Sequence, residues 1–182
     1  KSVSRVYVAP GNAGTALNPD MVNVPITSVP ELVEFAKTEQ IGLTIVGPEA
    51  TLSQGVVDAF RANGLKIFGP TKAAAQLESS KDYAKAFMMR HKIPTAAYAT
   101  FTDAKEAHDY VNVQGAPIVI KADGLAAGKG VVVAMSLDEA HEAIDSMLSD
   151  NKLGSAGARV VTACSPRTTC MRFVNCHGSA IL

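Results

Sequence analysis

The sequence predicts an α/β protein in which a parallel-sheet domain precedes a smaller α+β unit. Through residues 1–80, β-rich segments alternate with helical ones, as they do in strand–helix–strand units with parallel strands. Further along, two β-branched runs at residues 117–121 and 131–133 flank a glycine-rich loop, which is the pattern of a hairpin. An apolar content of 47% with 19% charged residues is typical of a globular chain that buries a core.

The parallel-sheet domain contains three predicted strands. They cover residues 5–9, 43–46 and 65–68. After the first strand, Thr27 or Ser28 is placed to cap a helix with one apolar face. The residues of that face are Leu32, Val33 and Ala36. A second helical segment ends near Asn63 and Gly64. Its inward residues are Val56, Val57 and Phe60.

Loops at residues 10–15, 47–51 and 69–71 follow these strands. Because ligands of parallel sheets bind at the carboxyl ends of the strands, the loops are candidate substrate contacts. The alternative is that their glycine and proline residues only shape the turns. Glu49 is placed either to bind a hydroxyl or amine group or to interact with the dipole of a helix start.

Residues 71–89 are predicted to form two helices that meet near Ser79 and Ser80. Lys81 then lies in the first turn of the second helix, where the helix dipole disfavours a cation. Either this lysine is solvated or a bound anion compensates its charge. An isoleucine–proline pair then breaks the helix, so the domain boundary is predicted between residues 90 and 96.

The α+β unit is predicted to have partly antiparallel strands. Its elements are a strand at residues 97–101, a helix at 103–113 capped by Thr102, the hairpin, a helix that ends at about residue 148, and a strand that begins at Arg159. An S-x-x-E capping box at residues 136–139 starts the second helix. The inward residues of that helix are Ala140, Ala143, Ile144 and Met147.

The loop of the hairpin is where the chemistry is expected. Its glycines let backbone N–H groups approach a phosphate without obstruction by a Cβ atom. Lys121 and Lys129, at its two shoulders, supply the positive charge that glycines lack, although a loop lysine such as Lys129 is commonly just solvated. A nucleoside triphosphate is the expected ligand.

The composition argues against binding to nucleic acid and to membranes. The 17 Lys and Arg residues equal the 17 Asp and Glu residues, so no overall basic field attracts nucleic acid or an anionic membrane. Because no apolar run approaches the roughly 20 residues of a membrane span and the first residues do not resemble a signal peptide, we expect a cytoplasmic location. The histidines predicted to lie at the surface are His91, His108 and His141.

Five motifs in order carry a family resemblance. They are APGNAGT at residues 9–15, VGPEA at 46–50, FGPT at 68–71, AQLESSK at 75–81 and IKADGLAAGKG at 120–130. Together they resemble the phosphoribosylamine–glycine ligases, or glycinamide ribonucleotide synthetases, of the ATP-grasp superfamily. The resemblance runs almost without gaps from about residue 5 to residue 161, and five spaced motifs are more specific than one glycine-rich loop.

The resemblance implies an ATP-dependent step of de novo purine biosynthesis. ATP would phosphorylate the carboxylate of glycine, and the amine of 5-phosphoribosylamine would attack the glycyl phosphate to give glycinamide ribonucleotide, ADP and phosphate. By matching positions, ATP would contact Lys81, Lys121, Gly124, Leu125, Ala126, Ala127, Gly128, Lys129 and Gly130. The phosphoribosylamine side would be lined by Gly11, Asn12, Gly47, Pro48 and Glu49. The resemblance identifies no catalytic residue.

It also implies how the chain is organised. A pre-ATP-grasp N-domain at residues 1–80, without its first strand, would be followed by a helical connection at 81–95, an ATP-grasp lid subdomain at 96–161 and a divergent tail at 162–182. In the tail, a strand with paired glutamates is expected but absent. All three cysteines lie there and lack the spacing of a structural zinc site; they are Cys164, Cys170 and Cys176.

On this resemblance the chain is expected to be a fragment that turns over little or no substrate unassisted. The ligands for Mg²⁺ would lie in a further C-terminal part, and no metal site is expected in this chain. Two alternatives remain open, which are a non-catalytic nucleotide-binding module and another ATP-grasp carboxylate–amine ligase. The motifs at residues 9–15 and 46–50 argue against the second, because a shared lid does not require them. The oligomeric state is not indicated.

Overall fold

The computed structural model describes residues 3–125, 130–150 and 152–164. The chain forms two compact units, residues 1–75 and residues 76–182. The domain boundary that the sequence predicted between residues 90 and 96 therefore lies inside the second unit.

The first unit alternates strands and helices, as predicted. Its elements are β1 (Val6–Val8), α1 (Ala13–Ala16), β2 (Met21–Asn23), α2 (Val29–Thr38), β3 (Thr44–Ile45), α3 (Glu49–Gln54), α4 (Val56–Ala62) and β4 (Ile67–Phe68), and α5 (Lys72–Ser79) crosses into the second unit. β1 pairs with β2 and β3 pairs with β4, both in parallel. The prediction of parallel strands is confirmed, while the sequence analysis missed α1 and β2.

The core of this unit is made by its helices. The buried residues are Val33, Ala36, Leu52, Val56, Val57, Phe60 and Ala75. Leu32, which was predicted to face inward with Val33 and Ala36, is only partly buried against this cluster. Gly55 divides the segment that was predicted as one helix, because its φ of +90° ends α3 in the left-handed conformation that glycine adopts without strain.

The second unit contains a four-stranded sheet. Its further elements are α6 (Lys81–Arg90), β5 (Ala97–Phe101), α7 (Ala104–Gln114), β6 (Ile118–Ala122), β7 (Val131–Ala134), α8 (Leu137–Ile144), a π-helical turn (Asp145–Ser149), a 3-10 helix (Gly154–Gly157) and β8 (Val160–Cys164). The strand order is β5-β8-β6-β7, and every pairing in the described sheet is antiparallel.

β8 includes the first residues of the segment predicted to be a divergent tail. Thr162 is fully buried, its hydroxyl donates a hydrogen bond of 3.2 Å to the carbonyl oxygen of Ala99, and it pairs with Ile120 of β6. The chain is therefore regular through Cys164, whereas residues 165–182 lie outside the described residues.

The two faces of the sheet differ. Along β6, Ile118, Ile120 and Ala122 are fully buried in the core that α7 and α8 form with the sheet. Because successive side chains of a strand point to opposite faces, Val119 and Lys121 lie on the other face. Lys121 is thus held on the side of the sheet away from α7 and α8.

Helix α6 starts on the same face as Lys121. Lys121 pairs with Val161 of β8, and Val161 pairs with Thr100 of β5, so these three side chains share one face. The hydroxyl of Thr100 donates a hydrogen bond of 2.7 Å to Oδ1 of Asp82, in the first turn of α6. The sheet register therefore brings the start of α6 and Lys121 to the same side.

Side-chain caps begin the longer helices. Ser28 and Ser80 cap α2 and α6, and Ser136 caps α8 as predicted. The cap of α7 was predicted one residue too early. Asp103, not Thr102, accepts the hydrogen bond from the backbone N–H of Glu106, at 2.9 Å.

Within residues 3–125, 130–150 and 152–164, no helix is both long enough and apolar enough to span a membrane.

Replacing Ile120 with alanine is expected to lower the free energy of unfolding by about 2–5 kcal/mol, because the fully buried side chain would leave a cavity. Urea denaturation followed by circular dichroism measures the loss. Val113→Ala, on α7 at a position that is 81% exposed, is the control and is expected to change stability by less than about 0.5 kcal/mol. Equal losses in the two variants would contradict the assigned core.

Candidate functional site

Three partly buried lysines are electrostatically coupled in the second unit. Lys81 and Lys85 lie one helical turn apart on α6, and Lys121 lies on β6. Burial lowers the pKa of Lys81; the carboxylate of Asp123 opposes this, and the charge of Lys121 adds to the lowering. Burial also lowers the pKa of Lys85, and Lys121 lowers it further. Such a concentration of desolvated positive charge favours an anionic ligand.

Lys81 is held by the segment that follows β6. Its Nζ donates hydrogen bonds to the carbonyl oxygens of Gly124, at 3.1 Å, and Asp123, at 3.4 Å. Its backbone N–H donates to the carbonyl oxygen of Asp123, at 3.3 Å. The sequence left open whether this lysine is solvated or compensated by an anion. In the structure, carbonyl dipoles partly compensate its charge.

The side chain of Asp123 lies at the start of α6. Its Oδ1 accepts hydrogen bonds from the backbone N–H of Asp82, at 2.8 Å, and from the hydroxyl of Ser80, at 3.1 Å. Arg159 is shared between two carboxylates, with Nη1 3.1 Å from Oδ2 of Asp82 and 3.7 Å from Oδ2 of Asp123. In the sequence, Asp123 lies within the motif at residues 120–130 without a predicted role, and neither Asp82 nor Arg159 was predicted to belong to the site.

Backbone contacts fix both ends of the glycine-rich loop. The N–H groups of Asp123 and Gly124 donate to the carbonyl oxygens of Arg159, at 2.9 Å, and Ala156, at 3.3 Å. At the other end, the N–H of Ala122 donates to the carbonyl oxygen of Gly130, at 2.8 Å. Of the other predicted loop contacts, Leu125 is described and exposed. The remaining ones lie outside the described residues; they are Ala126, Ala127, Gly128 and Lys129.

Gly124 has to be glycine for a steric reason. A Cβ atom added there would lie 2.9 Å from Cα of Ala156 and 3.1 Å from its Cβ. The first of these atoms belongs to the backbone of the 3-10 helix and cannot rotate away. The glycine that the sequence analysis assigned to phosphate approach therefore also allows close packing of two backbone segments.

Lys85 is a further cation that the sequence analysis did not single out. Its Nζ donates hydrogen bonds to the hydroxyl of Thr95, at 2.6 Å, and to the carbonyl oxygen of Ala96, at 3.1 Å. It also lies 5.8 Å from the centre of the Tyr98 ring, within the range of a cation–π interaction. These contacts attach α6 to the start of β5.

The predicted phosphoribosylamine contacts lie in the first unit. Gly11 has a φ of +81°, and an added Cβ would overlap the side chain of Asn23. Asn12 caps α1 by accepting a hydrogen bond from the N–H of Thr15, at 3.0 Å, and its carbonyl oxygen accepts from Nδ2 of Asn23, also at 3.0 Å. The turn after β1 is thus built from residues that satisfy one another.

The second predicted substrate loop follows β3. Gly47 and Pro48 are exposed, and Glu49 is the exposed first residue of α3. This position agrees with the interpretation of Glu49 as a carboxylate at a helix start.

His108 and His141 are not simple surface residues. Their Nδ1 atoms lie 2.6 Å apart, and the pair connects α7 to α8. Nε2 of His108 lies 2.9 Å from Oδ1 of Asp145, and Nε2 of His141 lies 3.0 Å from Oδ1 of Asn112. By contrast, His91 is exposed beside the ring of Phe87, as predicted.

No group of three or more His, Cys, Asp or Glu side chains in the described part of the chain could hold a metal ion.

Comparison with known families accounts for both units. Residues 1–78 match the N domain of phosphoribosylglycinamide synthetase, and residues 79–164 match the ATP-grasp (A) domain of the same enzyme. The chain belongs to the phosphoribosylglycinamide synthetase family. The second match includes residues 162–164, so the family pattern extends through the whole of β8.

Individual relatives agree with this membership. The chain is 69% identical over 159 residues to a phosphoribosylamine–glycine ligase of Neisseria meningitidis serogroup A, and the match covers 87% of this chain and 38% of that ligase. The chain therefore spans little more than a third of the length of this relative. The crystal structure of the Thermotoga maritima phosphoribosylamine–glycine ligase superposes with a TM-score of 0.67 at 30% identity, covering 87% of this chain and 37% of that one.

A more distant structure shares only the fold. The biotin carboxylase domain of a 2-oxoglutarate carboxylase from Hydrogenobacter thermophilus, solved with MgADP, ADP and bicarbonate, superposes with a TM-score of 0.65 at 16% identity. The match covers 82% of this synthetase-family chain and 35% of that one.

Gly124→Ala is expected to destabilise the protein by about 1–3 kcal/mol, because the new methyl group meets the backbone of Ala156. Differential scanning calorimetry measures the effect. Gly42→Ala is the control, since an added Cβ there meets nothing within 4 Å and should leave stability unchanged or slightly raised. A Gly124→Ala variant as stable as the control would refute the close approach.

Proposed function

We propose that this chain is part of a ligase that joins glycine to 5-phosphoribosylamine with the energy of ATP, producing glycinamide ribonucleotide, ADP and phosphate in de novo purine biosynthesis. Family membership and 69% identity to a protein of that name support the proposal. The observation that carries it is the coupling of Lys81 and Lys121 on one side of the sheet, next to the residue that opens the glycine-rich loop.

In the proposed reaction, a carboxylate oxygen of glycine attacks the γ-phosphorus of ATP, the bond to the bridging oxygen breaks, and ADP leaves. The amine of phosphoribosylamine then attacks the acyl carbon of the glycyl phosphate, phosphate leaves with the C–O bond electrons, and the amine loses a proton. Both steps require that phosphate charge be neutralised and that the reactants be aligned. The lysines of the second unit supply such charge.

The proposal assigns nucleotide contacts to the second unit. Lys81, Lys121 and the loop from Gly124 to Gly130 are the proposed ATP contacts. Support comes from the fixed loop ends and from the lowered pKa of Lys81, because burial makes a partner anion favourable there. ATP-grasp ligases act with Mg²⁺, which would supply further positive charge to the phosphates.

Substrate contacts are proposed in the first unit, at Gly11, Asn12, Gly47, Pro48 and Glu49. In support, these residues lie within the first few positions after β1 and β3, at the carboxyl ends where parallel strands present ligand-binding loops. The proposal includes a cytoplasmic location, in keeping with the balanced charge of the chain and the small polar substrates.

Another ATP-grasp ligase is a weaker candidate. The carboxylase domain with the same fold is only 16% identical, whereas the glycine ligase of Neisseria meningitidis is 69% identical. The match to the glycine ligase covers 159 residues and is therefore too long to be confined to either unit.

Isothermal titration calorimetry with ATP and Mg²⁺ tests the nucleotide site. Lys81→Ala and Lys121→Ala are each expected to weaken ATP binding about 10- to 100-fold, the usual effect of losing a charged hydrogen bond. Lys105→Ala is the matched control, because Lys105 is an exposed lysine of the second unit that pairs with Asp109 on α7. Equal affinities in all variants would contradict the assignment of the lysines.

Product formation separates a ligase from a nucleotide-binding module. ADP release is measured with ATP, Mg²⁺, glycine and phosphoribosylamine, and little or no turnover is expected from the 182-residue chain alone. A rate near that of a full-length relative would overturn this expectation. ATP binding by a full-length relative with the same site residues, but without glycine-dependent ADP release, would favour the module.

ATP affinity is expected to fall in the alkaline range because of Lys81. Burial lowers the pKa of Lys81, so this lysine loses its proton, and with it the attraction for phosphate, at a lower pH than an exposed lysine does. Affinity should be constant well below that pKa and decrease as the pH rises through it. Lys81→Arg, which stays charged, should remove this part of the decrease. Identical pH profiles for the two proteins would contradict the role of Lys81.

A further inference from the structure

We propose that Asp123 is a positioning residue of the nucleotide site, whose carboxylate joins the start of α6 to the segment after β6 and so holds Lys81 beside Gly124. The inference rests on the proposed function, since it concerns how the phosphate-binding lysine is oriented. It adds to that function a residue that does not itself touch the nucleotide.

The carboxylate of Asp123 completes the N-terminal cap of α6. The hydroxyl of Ser80 accepts a hydrogen bond from the N–H of Tyr83, at 3.1 Å, and donates to the carboxylate of Asp123, at 3.1 Å. The N–H of Asp82, which no helical carbonyl satisfies, donates to Oδ1 of Asp123 at 2.8 Å. A residue some forty positions further along the chain thus fixes the first turn of α6.

The backbone of the same segment fixes the lysine side chain. The carbonyl oxygens of Asp123 and Gly124 both accept from Nζ of Lys81, at 3.4 Å and 3.1 Å. The side chain of Asp123 therefore holds the base of Lys81 through the helix start, while its backbone holds the tip. Removing the carboxylate therefore frees the base of Lys81, at the start of α6.

Asp123 also acts on Lys81 through its charge. Asp123 is only 15% exposed, and its carboxylate raises the pKa of Lys81 against the lowering by burial. The other charged groups that act on Lys81 are Lys121, which lowers its pKa, and Glu78, which raises it. Asp82 and Arg159 form an ion pair next to Asp123. Asp123 thus favours the protonated lysine that a phosphate requires.

Asp103 offers a matched comparison within the same unit. It caps α7 by accepting from the N–H of Glu106, at 2.9 Å, as Asp123 accepts at α6. Among the described residues, no hydrogen bond or ion pair links Asp103 to Lys81, Lys85 or Lys121. Removing either aspartate should therefore lower stability, because each change removes a helix cap. Only the removal of Asp123 should also disturb the position of Lys81.

The experiment compares ATP titrations of the 182-residue chain and three variants, over pH 7.5 to 10. Asp123→Ala is expected to weaken ATP binding about tenfold at pH 7.5, and Asp103→Ala is expected to leave it unchanged although it also loses a cap. Asp123→Asn keeps an oxygen that accepts from Asp82 but lacks the charge. Its affinity should therefore begin to fall at a lower pH than that of the wild type, while its melting temperature stays close to the wild-type value.

Three results would overturn the proposal. Equal weakening by Asp123→Ala and Asp103→Ala would show a stability effect alone. An unchanged affinity in Asp123→Ala would remove the positioning role. Coincident pH profiles of the wild type and Asp123→Asn would remove the electrostatic coupling. If Asp123→Ala does not fold, Asp123→Asn decides the question by the last criterion.

A failure of the proposed function gives a different result. If the wild type does not bind ATP, the nucleotide site is wrong and the positioning role falls with it. The contact between Asp123 and Lys81 is then still measurable, because NMR titration of the lysine Cε signal reports a lower pKa of Lys81 in Asp123→Asn when the two side chains are coupled.

Discussion

The alternation of side chains along β6 is the constraint on which the second unit depends. β6 lies between β8 and β7, and its residues Ile118, Ile120 and Ala122 fill the core beneath α7 and α8. Lys121 must then lie on the opposite face, because a shift of one residue would bury its charge in that core. One hydrophobic requirement therefore decides which side of the sheet can bind an anion.

The positive charge on that side is under electrostatic strain. The helix dipole, burial and the neighbouring Lys121 all disfavour a charged Lys81, and carbonyl oxygens and Asp123 offset only part of this. Folded proteins concentrate such unfavourable charge at functional sites, where a ligand relieves it. These contacts are not those of a fully solvated lysine.

Much of the fold could be predicted because its signals are local. β5 covers the predicted residues 97–101, and Ser28, Ser80 and Ser136 cap helices near where the sequence placed their starts. The elements that escaped prediction are short. α1 has four residues and β2 has three, which is too few for a hydrophobic period to show.

The sequence by itself determined the alternation of strands and helices, the apolar faces and the candidate lysines, since each of these depends on residues within a few positions of one another. Only the tertiary structure decided that Asp123, Asp82 and Arg159 meet at the start of α6, the helix that carries Lys81. The contact between Arg159 and Asp82 joins residues 77 positions apart, and that between Asp123 and Asp82 joins residues 41 apart. Such contacts arise from the sheet register, which brings β8 and the end of β6 to the start of α6, and no local pattern encodes them.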